Sequence, residues 1–149
     1  MAVTPKWYGS GMVKCLTGAV DLDTDTIKLS LHSTTYTPNQ DTHDFFNDAS
    51  TSQLATGNGY STGGVTLASK TVALDTASDQ IRFDAANPSW TLTSTGIAWR
   101  YAVIYKSRGG ASSADELIGY IDPGAKQTPV AGTYTFNFST AGILYVDVT

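Results

Sequence analysis

The chain has 149 residues, a formal net charge of −4 and a pI of about 4.8. That sign repels a phosphate backbone and argues against nucleic-acid binding. A single cysteine, Cys15, leaves no internal disulfide, and no apolar run approaches the roughly 18 residues of a membrane span.

Residues 1–20 carry Pro5, Gly9, Gly11 and Gly18, which interrupt any helical pattern. Two readings stand: a first strand near Met12–Leu16 after a loose tail, or an arm that offers Trp7 and Tyr8 to a neighbouring subunit. Lys6 and Lys14 precede no apolar stretch, so a signal peptide is not expected and the protein is expected to assemble in the cytoplasm. From Asp25 the pattern clears. Ile27, Leu29 and Leu31 alternate with Lys28, Ser30 and His32, as in a half-buried strand. Pro38-Asn39 marks a turn, and Thr42 is placed to cap a short helical turn through Phe45 and Phe46. Residues 53–64 form a Gly-rich loop holding Tyr60. Val65 to Leu74 reads as strand, and Ile81 with Phe83 as another.

After Asn87-Pro88, Trp90 and Leu92 begin a further strand. Ile97, Trp99, Tyr101, Val103 and Tyr105 alternate next, which places all five on one face of a single central strand. In residues 116–122, Leu117, Gly119 and Ile121 oppose Ile118 and Tyr120. Tyr134, Phe136 and Phe138 alternate with Thr133, Thr135 and Asn137, and Ile143 to Val148 closes the chain. Eight to ten short strands with turn signals between them predict an all-β fold. It is an antiparallel β-sandwich or jelly-roll-like barrel with at most one short helix. Residues 1–20 form its arm or first strand, and residues 21–149 the single sandwich domain.

Four patterns invite a chemical reading. Gly59-Tyr60-Ser61-Thr62-Gly63 matches the string of a hydrolase nucleophile elbow, but both histidines, His32 and His43, precede Ser61, and a strand follows it where the elbow needs a helix. Asp21, Asp23 and Asp25 begin like a calcium loop, yet Thr26 stands where Gly is required and His32 where Glu is required. Asp41, His43 and Asp44 lack a second soft ligand, so pinning a loop is the simpler role. Trp7, Trp90, Trp99 and the tyrosines could stack sugar rings, with Trp90 the exposed candidate. No catalytic residue, metal ligand or cofactor is predicted.

The succession as a whole carries a resemblance. Asp25-Thr26-Ile27-Lys28-Leu29-Ser30-Leu31, Tyr36-Thr37-Pro38-Asn39 with Asp41-Thr42-His43, and Gly59-Tyr60-Ser61-Thr62-Gly63-Gly64 with Leu67 come first. Phe83-Asp84-Ala85, Tyr101-Ala102-Val103-Ile104-Tyr105 and Leu117-Ile118-Gly119-Tyr120-Ile121-Asp122 follow. In this order the segments resemble small cement or decoration proteins of tailed-bacteriophage capsids. The resemblance implies a non-enzymatic β domain, commonly a homotrimer, on the outer surface of the virion head, bridging major capsid protein subunits. It also leaves room for a place in the tail or the head–tail connector. Apart from the resemblance, the contact residues expected are Trp7, Tyr8, Tyr60 and Trp90.

Overall fold

A computed structural model describes residues 4–148. Ten strands run in order: β1 (Thr4–Trp7), β2 (Ile27–His32), β3 (Val65–Thr66), β4 (Thr71–Asp75), β5 (Gln80–Asp84), β6 (Ser89–Leu92), β7 (Tyr101–Lys106), β8 (Leu117–Asp122), β9 (Gly132–Thr135) and β10 (Leu144–Asp147). One helix of two turns, α1 (Gly9–Leu16), follows β1, and a single helical turn, α2 (Asn47–Ser50), lies in the loop after β2. The fold is all-β, and every strand pairing is antiparallel. Among the described residues no helix is long and apolar enough to cross a membrane.

The main sheet has the order β1-β8-β7-β2-β3. A three-stranded sheet, β10-β5-β4, and a ribbon, β6-β9, form the opposing layer. Between the layers Ile27, Leu29 and Leu31 of β2 and Ala102 and Ile104 of β7 meet Phe83, Leu144, Trp90, Leu92 and Phe136. The far face of the main sheet is covered as well. Val103 and Tyr105 of β7, with Leu117 and Tyr120 of β8, pack under Tyr8, Tyr36, Phe46 and Ala49, and Phe46 stacks on Tyr105 with ring centres 3.9 Å apart. Strands buried on both faces lose the in–out alternation of a half-covered sheet.

Three expectations are corrected. Met12–Leu16 is not a strand but lies within α1; β1 hydrogen-bonds to β8 instead, so residues 4–16 belong to the sandwich. Met12, Cys15 and Leu16 recur at helical spacing and give that helix an apolar side toward the three-stranded sheet. Ile97 and Trp99 do not share a face with Tyr101, Val103 and Tyr105. The chain bends at Arg100, whose N–H bonds His32 O at 2.7 Å, so Ile97 and Trp99 enter the inter-layer core while Val103 and Tyr105 face the other way. Finally, β8 contains a bulge. Ile104 pairs Gly119 and Tyr105 pairs Leu117, so Ile118 is the extra residue. Ile118 and Ile121 therefore reach the inter-layer core, and Leu117 and Tyr120 the opposite one.

Candidate interaction surface

Tyr8 is fully buried, Tyr60 is 1% exposed and Trp90 8% exposed. These three are corrected as contact residues because their rings fill this chain's own core. Tyr8 donates or accepts at 2.6 Å with Tyr36, whose hydroxyl lies 3.1 Å from His43 Nδ1. Burial, and then Tyr36, push the Tyr8 phenol far above its ordinary value. Tyr60 completes a strand edge. Because β3 is two residues long, the Leu31 N–H on β2 has no strand opposite it and donates instead to the Tyr60 hydroxyl at 2.8 Å. Trp90 packs between Tyr60 and Tyr134, which removes it as an exposed sugar platform. Trp7 alone keeps open surface; its Nε1 donates to Tyr145 O of β10 at 2.9 Å.

The other sequence patterns resolve into structural roles. Gly59 has φ +87°, and a Cβ there would sit 2.0 Å from Thr91 O, so the first glycine of the Gly-x-Ser-x-Gly string serves a close backbone approach. His32 Nε2 bonds Ser30 Oγ at 2.8 Å inside the far-face core, and Nδ1 is buried without a hydrogen-bond partner among the described residues. His43 instead accepts from Asn39 N–H and lies against Tyr36, holding the 36–43 loop together. Neither histidine is bonded to Ser61. Asp21 accepts from the N–H groups of Asp23 and Thr24, and Asp25 pairs Lys106 at 2.7 Å. Among the described residues no three His, Cys, Asp or Glu side chains converge as metal ligands do.

Four ion pairs are formed among the described residues. All three arginines face carboxylates: Arg82 pairs Asp75 at 2.6 Å, Arg108 grips Glu116 at 2.6 Å, and Arg100 pairs Asp122. Burial raises the Glu116 carboxyl, but the Arg108 guanidinium outweighs it and holds the group below its usual range.

One open surface is almost wholly apolar. A groove of about 390 Å³ runs between α1 and the three-stranded sheet. Met12, Cys15 and Leu16 form one wall, Val72, Ile81 and Val146 the other, and Trp7 closes one end. The pairings Val72↔Phe83, Leu74↔Ile81 and Ile81↔Val146 put these side chains on one face of the sheet. Phe83 and Leu144 at the inner end are buried, whereas Leu74 is 58% exposed and Leu16, across on α1, 80% exposed. The β4–β5 hairpin thus projects past the core like a wing with an uncovered apolar underside. Such surface, rimmed by polar residues, marks a contact site more often than an accident of folding. A smaller cleft of about 190 Å³, lined by Trp99, Tyr134, Phe136, Gln127 and Asn137, falls short of the roughly 300 Å³ of a typical small-molecule site.

Sequence reasoning missed this surface. Val65 to Leu74 read as one strand, whereas the chain breaks between β3 and β4, and alternation shows which side chains share a face but not whether the face is covered. The spacing of Met12, Cys15 and Leu16 was the available signal for α1, hidden by the neighbouring glycines. No family model, curated protein or solved structure matches this chain.

Proposed function

We propose that this protein is a non-enzymatic virion component, a cement or decoration protein that binds the outside of a tailed-phage head and bridges major capsid protein subunits. The observation that carries the contact role is the uncovered apolar groove between α1 and the β4–β5 wing. The capsid as its target rests on the succession of segments described above, from Asp25 to Asp122. The acidic net charge suits the outer face of a shell better than the inner face beside packaged DNA. The mechanism is additive: each copy buries modest surface across a subunit boundary, and the repeat around the shell resists outward pressure.

Heads stripped of the protein and mixed with purified chain test the reading by co-sedimentation. The wild type is expected to pellet with the heads and to saturate. Leu16→Asp, on a surface residue that leaves the core intact, is expected to weaken binding at least about tenfold, since burying one leucine contributes ~1.5–3 kcal/mol. Failure of the folded wild type to bind heads overturns the capsid reading. Binding to purified tails or connectors in its place moves the protein to those structures.

A further inference from the structure

We infer that the outer edge of β4 pairs with the same edge of a second copy, joining two three-stranded sheets into one six-stranded sheet across a two-fold axis. β4 is the edge of its sheet. Among the described residues, no backbone hydrogen bond leaves Thr71–Asp75 except toward β5. An edge of this kind is a template for another strand unless proline, lysine or a bulge guards it. Thr71-Val72-Ala73-Leu74-Asp75 contains neither residue, and its register with β5 runs without interruption.

The segment is complementary to itself. Antiparallel pairing about Ala73 sets Val72 opposite the partner's Leu74 and Thr71 opposite the partner's Asp75. Apolar side chains then meet on the groove face, and no like charges oppose. Slipping the register by one residue would put Val72 and Leu74 opposite side chains of the other face. The opposite edge of the sheet is less available, because the Trp7 indole already occupies Tyr145 O on β10. Head-to-tail addition of β10 to β4 is therefore disfavoured, and the isologous pair closes on itself.

Val72 and Leu74 stand beside this edge at 45% and 58% exposure, so pairing covers apolar surface on the wing while Leu16, across the groove on α1, stays open for another partner. Strand pairing supplies main-chain hydrogen bonds in addition. The assembly is a two-fold pair, in place of the three-fold assembly that the resemblance implies, and it does not depend on the capsid reading.

Light scattering or sedimentation of the purified chain should give twice the 15.8 kDa chain mass. Leu74→Lys should shift it to the single-chain mass with an unchanged circular dichroism spectrum. In a Cys15→Ser background, Ala73→Cys should oxidise to a covalent dimer, because opposed Cα atoms lie roughly 4.5–5.5 Å apart in an antiparallel pair, within disulfide reach. Ser78→Cys, at the hairpin tip, should not. A single-chain or three-chain mass for the wild type overturns the inference. So does cross-linking at position 78 as efficient as at position 73. Should Leu74→Lys fail to fold, the comparison of the two cysteine positions decides.

Discussion

The hydroxyl of Tyr60 stands in for a missing strand. With β3 ending after two residues, Leu31 would carry a buried N–H with no acceptor. Tyr60→Phe keeps the ring and removes that acceptor, so chemical denaturation should show a loss of about 1–3 kcal/mol. His32 presents the opposite case, a polar group with one ring nitrogen satisfied. Burial lowers its pKa from 6.5 to about 4, only partly offset by the Ala49 backbone. As pH falls below 6.5 the unfolded chain takes up a proton that the folded chain refuses. Stability therefore declines from about pH 6.5 and levels off below about pH 4, with a total penalty of about 3 kcal/mol. Melting temperatures across this window should fall for the wild type and stay flatter in His32→Gln. Equal slopes for the two proteins would remove His32 as the cause.

At the scale of elements, α1 lies on β8 through Gly11. A Cβ at that position would come within 2.5 Å of Leu117 O and 2.7 Å of Ile118 Cα, both backbone atoms that cannot step aside. Gly-to-Ala changes inside a helix normally stabilise by about 1 kcal/mol. Here Gly11→Ala should destabilise by about 1–3 kcal/mol in urea titration, because overpacking outweighs propensity. The same glycine shows why α1 was illegible. Gly9 and Gly11 read as helix breakers, yet one of them is the reason the helix can approach the sheet. β2 and the Ile81–Phe83 strand were legible as strands because a period of two shows which side chains share a face, but not their burial: Ser30 and His32 are buried on the side expected to be open, and Ile81 stands partly exposed beside buried Phe83. The run from Ile97 to Tyr105 kept perfect alternation through the Arg100 bend, where the strand begins and the exposed face changes. Periodicity carries no mark of such a bend. The bulge at Ile118 was hidden for the same reason, since it depends on how β8 meets β7.

For the whole molecule, the polar groups that looked chemical in the sequence are used up internally. Asp21 accepts from its own loop, Asp25 holds Lys106, and His43 holds its loop. The apolar groups that looked internal stand partly outside, on α1 and the wing. Aromatic size was a poor guide to contact: Tyr8, Tyr60 and Trp90 are core, whereas Leu16 and Leu74 are surface. Whether a hydrophobic residue closes a core or offers a partner surface is decided by how far its strand extends past the opposing layer, which no local pattern records. An account built on surface contact, with the capsid as target, makes the number of copies its sharpest consequence. Quantitative mass spectrometry of the purified virion should find the chain at on the order of hundreds of copies per particle, in fixed ratio to the major capsid protein. About six or twelve copies, the symmetry of a connector or tail ring, or none at all, would contradict it.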